Sequence, residues 1–180
     1  MNLLKTLLLA LLLSTATVSL AQIELPAFFG DHMVLQQNSD VSIWGTDKPN
    51  AKIKVIGSWG KESTTTANAN GQWKLKIQTP SYGGPYTLNI KGSNARTLNN
   101  VMIGEVWLCS GQSNMEMPVK GFNNQPINGS AEAILNSRNS QIRLFTVKRA
   151  TSLEPLENVE GQWSEAGPAT VRDFSATAYF

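Results

Sequence analysis

The sequence predicts two units in tandem: a small antiparallel β-sandwich over residues 22–100, then the beginning of an α/β layer structure over residues 101–180. Three observations predict this. Before residue 100, apolar and polar residues alternate with a period of two. Beyond it, near-continuous apolar runs alternate with stretches of helical spacing. The first 21 residues read as a removable leader and stand outside either unit.

The leader comes first. Lys5 gives a positive start, Leu7 to Leu13 form a short apolar run, and Ser14 to Ala21 turn small and polar. Ser19-Leu20-Ala21 has the small-x-small form that signal peptidase accepts, so the mature chain is expected to begin at Gln22. The competing reading is a membrane anchor. The apolar run falls well short of the ~20 residues a spanning helix needs, and four hydroxyl residues follow it. Export to a periplasmic or extracellular location, with no membrane attachment after cleavage, is the expectation. Gln22 rather than a cysteine stands directly after the cleavage point, so lipid attachment there is not expected.

The whole chain of 180 residues carries a net charge of +2, and removing the leader leaves 14 basic against 13 acidic residues. That balance, with no basic stripe among aromatics, excludes nucleic acid as an expected partner. Cys109 is the only cysteine, so no internal disulfide can form. With 41% hydrophobic and 16% charged residues, a packed core is expected to hold the fold instead.

Within 22–100, strict alternation marks Lys52-Ile53-Lys54-Val55, then Gly71 to Ile77, then Pro85 to Lys91. Such segments put one face in a core and the other in water. Asn70-Gly71, between the Thr-rich run Ser63 to Ala67 and the Trp73 strand, predicts a tight hairpin turn. Further breaks fall at Asp47 to Asn50 and at Tyr82 to Pro85.

Beyond residue 100, Val101-Met102-Ile103 and Val106-Trp107-Leu108-Cys109 read as strands covered on both faces. Ser130 opens a predicted helix with Ala131, Ile134 and Leu135 on one side and Glu132 in its first turn. Ile142 to Val147 reads as a strand, and a second helix is expected from near Asp173. An open α/β sheet needs on the order of 150 residues to cover both faces. The final residues Ala176 to Phe180 are apolar without a helix stop signal, so the chain reads as cut off within a helix.

Chemistry concentrates in one stretch, Gly104-Glu105-Val106-Trp107-Leu108-Cys109-Ser110-Gly111-Gln112-Ser113-Asn114-Met115. Loops at the carboxyl ends of strands in open α/β sheets are where ligands bind. Gly111 is expected to let the chain turn sharply and leave Ser113 exposed at the tip of a buried strand. A serine hydroxyl needs a base to take its proton before it attacks. Gly-x-Ser-x-Gly would mark the α/β-hydrolase nucleophile elbow, but Met115 stands at the last glycine position.

Gly-Gln-Ser-Asn-Met after Glu-Val-Trp-Leu-Cys-Ser resembles the first block of the SGNH-type carbohydrate esterases, specifically the sialate O-acetylesterase family. Three further stretches look like that family: Phe28 to Gln37, Gly84 to Leu88, and Asp173 to Phe180. The resemblance implies an SGNH-type three-layer α/β hydrolase domain, truncated here, that removes O-acetyl groups from sugars. It implies Ser113 as the catalytic nucleophile, with its backbone N–H as one oxyanion donor, an O-acetylated carbohydrate as substrate, and neither cofactor nor metal. The family's remaining oxyanion donors and its Asp-x-x-His pair match no residue here, so this chain alone is expected to be inactive.

Other residues stay open. His32, the only histidine, is a candidate base or an ordinary residue near the domain junction. Cys109 is a second nucleophile candidate or an inert core thiol. Glu105 and Glu116 flank the block and read as solvated or structural. Trp59 is a sugar-stacking platform or a packing residue. At the level of function, two alternatives compete with the sugar deacetylase: a non-catalytic carbohydrate-binding or adhesion module, and a lipase-like esterase active on long acyl chains.

Overall fold

Alternation in the first half builds two sheets around one core. The computed structural model describes residues 22–180, and the predicted leader lies outside the described residues. Strands β1 (Val34–Gln36), β3 (Lys52–Gly57), β4 (Lys61–Thr66), β6 (Gly83–Lys91) and β7 (Ala95–Gly104) form a sheet in the order β1-β7-β6-β3-β4. Strands β2 (Asp40–Thr46) and β5 (Gln72–Gln78) form a second, antiparallel sheet with Ile43 opposite Leu75 and Gly45 opposite Trp73. In β5 the indole of Trp73 and the side chains of Leu75 and Ile77 are buried while Lys74 and Lys76 face water. Ile53, Val55, Leu88, Ile90, Leu98, Val101 and Ile103 from the larger sheet join them in one hydrophobic cluster.

Two details differ from the sequence expectation. The larger sheet is mixed rather than antiparallel, because β1 runs parallel to β7 with Leu35 opposite Ile103. Asn70-Gly71 does not close a ladder hairpin: β4 and β5 lie in different sheets, and the turn carries the chain between them. Gly71 is nevertheless required there. Its φ is +80°, and a Cβ on it would sit 2.3 Å from the Asp47 carbonyl oxygen. β4 is an edge strand of polar residues, and its Glu62 pairs with Lys54 at 2.8 Å, which discourages pairing with another chain.

β7 also runs past the boundary expected at residue 100 and ends at Gly104. Val101 and Ile103 are therefore buried in the first core rather than opening a second sheet. Downstream, β8 (Asn139–Phe145) and β9 (Trp163–Ala166) pair antiparallel, and no parallel α/β sheet is present among the described residues. Helix α1 (Ser130–Leu135) begins where predicted, but buries Ala133 and Ile134 in part and leaves Leu135 exposed. Helices α2 (Pro168–Val171) and α3 (Ala176–Tyr179) replace the helix expected from Asp173. Ser175 caps α3, its hydroxyl accepting from the Ala178 N–H at 3.4 Å, so the helix starts three residues later than expected. Val119, Leu144, Ala166, Val171 and Ala176 form a second, smaller cluster.

Asp47 anchors the loops at one end of the sandwich. It is buried, and its carboxylate accepts from the Lys48 N–H at 2.7 Å, the Ser93 N–H at 2.9 Å and the Ser93 hydroxyl. Burial pushes this carboxyl up, but the donors from Ser93 and Lys48 outweigh it and hold it below the ordinary value of 3.8. A carboxyl depressed in the folded state adds stability above its unfolded pKa, and that stability fades as pH falls through the folded value. Asp47→Asn should therefore lower stability at neutral pH and flatten its decline below about pH 4, measured as urea midpoints. An unchanged acid profile contradicts this assignment. Leu88, fully buried in the central strand β6, gives the packing counterpart. Leu88→Ala should cost about 2–5 kcal/mol by chemical denaturation, and a cost under about 1 kcal/mol would mean the core relaxes around it.

Candidate active site

The chain leaves β7 under tight control. Glu105 accepts from Gln36 Nε2 at 3.0 Å and Gln37 Nε2 at 2.6 Å, while Gln36 Oε1 accepts from the Val106 N–H at 3.0 Å. The two glutamine amides hold the Glu105 carboxyl below its ordinary range. Glu105 is thus structural, as the sequence allowed.

Val106 to Ser110 then runs without a strand partner. Trp107 is 83% and Leu108 93% exposed, and Cys109 is exposed. The buried strand expected here is not formed, because no described strand lies beside it to cover either face. The expectation of Cys109 as a core thiol fails with it. Ser113 consequently opens a single 3-10 turn (Ser113–Glu116) rather than sitting at a strand tip. Gly111 adopts no left-handed conformation; its glycine matters for space, since a Cβ would lie 2.9 Å from Met115 Cγ.

The turn itself is fixed from behind. Thr177 Oγ1 donates to the Asn114 carbonyl at 3.1 Å, and the Ala176 N–H donates to the Met117 carbonyl at 2.8 Å. The Val119 N–H reaches the Phe174 carbonyl at 2.9 Å, and Lys120 forms an ion pair with Asp173. The Asp173–Phe180 stretch therefore packs directly against the Gly111–Met115 stretch, although about 60 residues separate them. Glu116 pairs with Arg149. Ser113 is exposed, and its hydroxyl makes no hydrogen bond to any described residue.

His32 is not beside Ser113 in any hydrogen-bond network. Its φ is +68°, and its Nδ1 lies 2.9 Å from Asn100 Nδ2, which also donates to Glu165 Oε1 at 2.7 Å. Arg143 Nη2 donates to Asn100 Oδ1 at 3.0 Å, and Nη1 donates to the carbonyls of His32 and Asn100 at 3.4 Å each. The same Nδ1 also lies 3.5 Å from Glu165 Oε1, so the imidazole is engaged at the junction by both neighbours. The Arg143 side chain is 2% exposed; burial draws its guanidinium below the usual value, with the Glu165 carboxylate opposing that shift. Glu165 is held low by the Asn100 amide and then by Arg143.

This cluster joins the sandwich to the β8–β9 pair. An aromatic seam runs beside it: Phe28 stacks on Phe145 at 5.5 Å, and Trp163 Nε1 donates to the Phe28 carbonyl at 2.8 Å. Asn100, Arg143 and Glu165 were not legible as a cluster beforehand, because nothing in their spacing says they meet. Trp59 resolves as a packing residue: it meets Tyr86 edge-on at 5.6 Å, and its Nε1 donates to the Gln78 carbonyl at 2.9 Å. No group of three or more potential metal ligands occurs among the described residues.

Comparison with known proteins gives the context. The sialate O-acetylesterase of Mus musculus is 31% identical over 154 residues, covering 77% of this chain and 28% of that protein. That of Homo sapiens is 29% identical over 153 residues, with the same coverage. The chain resembles the sialate O-acetylesterases. A solved carbohydrate acetylesterase from Xanthomonas citri superposes with a TM-score of 0.81 at 34% identity, over 88% of this chain and 36% of that one. No family model matches the chain. The chain spans little more than a quarter of the length of the curated sialate O-acetylesterases it matches.

Arg143→Ala tests the junction between the two units. It strips the donors that satisfy two carbonyls and Asn100, and should destabilise the fold by about 2–4 kcal/mol in chemical denaturation. A change within about 0.5 kcal/mol would show that the buried guanidinium contributes nothing net.

Proposed function

We propose that this chain is part of a serine esterase that removes O-acetyl groups from sugars, with Ser113 as nucleophile. The observation that carries the reading is the Gly111-Gln112-Ser113-Asn114-Met115 turn, exposed and backed by the Asp173–Phe180 stretch, in a chain similar to acetylesterases. The unpaired Ser113 hydroxyl is open to attack an acetyl carbonyl carbon. Its proton passes to a base as the new C–O bond forms, and as the tetrahedral intermediate collapses the sugar oxygen takes that proton and leaves as a hydroxyl. Water then releases acetate from the acetyl-serine. The Ser113 backbone N–H is assigned as one donor to the developing oxyanion.

No hydrogen bond joins His32 to Ser113 among the described residues, and its Nδ1 lies at the junction against Asn100 and Glu165, so this reading takes its base from elsewhere. The reading therefore calls for a longer polypeptide, in which the sandwich extends to Gly104 and the residues after it open an SGNH-type α/β domain. The exposed, apolar Val106–Cys109 segment supports this. Flanking strands would cover it and seat Ser113 at a strand's carboxyl end. The leader over residues 1–21 adds export to the proposal.

In that longer polypeptide, Ser113→Ala should lower acetate release from O-acetylated sugars by about a thousandfold or more. Melting temperature should be unchanged, since the side chain is exposed and unpaired. Undiminished hydrolysis in the variant removes Ser113 from the chemistry.

A further inference from the structure

A cleft of about 560 Å³ opens on the sandwich, away from the residues around Ser113. Its lining comes from β2 and β5, from the segment before β1, and from Glu157 and Asn158, which cross over from the second unit. The crossing is anchored: the Ala27 N–H donates to Asn158 Oδ1 at 2.8 Å, and Trp44 Nε1 donates to the Glu157 carbonyl at 3.4 Å. The volume falls within the ~300–1,000 Å³ of small-molecule sites.

The polar groups in this cleft are unspent. The carboxylates of Glu24 and Glu157, Asn158 Nδ2 and the Thr46 hydroxyl make no hydrogen bond to any described residue. Trp73, only 3% exposed, lines the inner wall, with its indole N–H sealed from the surface. The partly exposed indole of Trp44 supplies an apolar surface beside them.

We infer that this cleft is an accessory sugar subsite that takes a neutral saccharide unit and disfavours an acidic one. The Glu24 and Glu157 carboxylates take donors, Asn158 Nδ2 takes an acceptor, and the Thr46 hydroxyl can do either. A cation only donates and an anion only accepts; a hydroxyl does both, and a sugar presents several on an apolar ring. Glu24 and Glu157 outnumber Lys74, whose ammonium already lies 5.7 Å from the centre of the Trp44 ring. The cleft is thus net negative and repels the carboxylate of a sialic acid. The choice of a sugar rests on the acetylesterase reading, but the subsite does not use Ser113.

The test is binding of this chain to immobilised oligosaccharides, neutral (xylan-, mannan-, glucan- and galactan-derived) and sialylated. At least one neutral series should bind saturably, with sialylated glycans at least about tenfold weaker. Trp44→Ala should weaken the neutral binding by about tenfold or more. Should that variant fail to fold, Glu24→Gln with Glu157→Gln changes only exposed carboxylates, and should reduce the neutral-over-sialylated preference by about tenfold. No neutral binding, a preference for sialylated glycans or a cationic peptide, or indifference to both sets of variants overturns the subsite. Ser113→Ala should leave this binding intact, so loss of sugar binding and loss of acetate release separate the two readings.

Discussion

Glu105, held between the amides of Gln36 and Gln37, sets where the chain goes after the sandwich ends. β7 is bonded on one side to β6 and on the other to β1, so its carboxyl end cannot swing. The Gln36 contact to the Val106 N–H extends that control by one more residue. The Ser113 turn that follows is then held from behind by Thr177 and Ala176. Charge-assisted hydrogen bonds such as those of Glu105 are about twice as strong as neutral ones, which suits them to fixing an exit path.

A second constraint keeps the two units in register. Arg143 arrives on β8 with its guanidinium buried, and it is satisfied by Asn100, the His32 carbonyl and Glu165. A buried charge contributes little net stability when fully partnered, but its removal leaves several groups without a donor. The cluster therefore acts as a specific latch beside the less directional aromatic contacts of Phe28, Phe145 and Trp163. His32 and Asn100 both hold positive φ within it, and the hydrogen bonds they make compensate a backbone conformation that side chains disfavour.

The strands of the sandwich were legible because each has one wet face, and alternation records that asymmetry directly. β5 is the clearest case, with Trp73, Leu75 and Ile77 inward and lysines between. β1 was less so, since a three-residue strand carries too little pattern to show that it pairs parallel to β7. Val106 to Cys109 has the composition of a doubly covered strand, yet composition cannot supply the neighbours that do the covering. Ser113 was identified through a local block, while the latch and the Trp44 cleft are assembled from residues far apart in sequence. Such sites depend on tertiary approach, which periodicity does not encode.

An exposed, unpaired serine on a fixed backbone exit, in a chain similar to acetylesterases, becomes the nucleophile once the polypeptide is longer. The most direct measurement is covalent labelling of that polypeptide with a fluorophosphonate, followed by peptide mass spectrometry. A single adduct is expected on the peptide bearing Ser113, blocked by prior incubation with an O-acetylated sugar. An adduct at another residue, or none in a preparation that releases acetate, would contradict that role for Ser113.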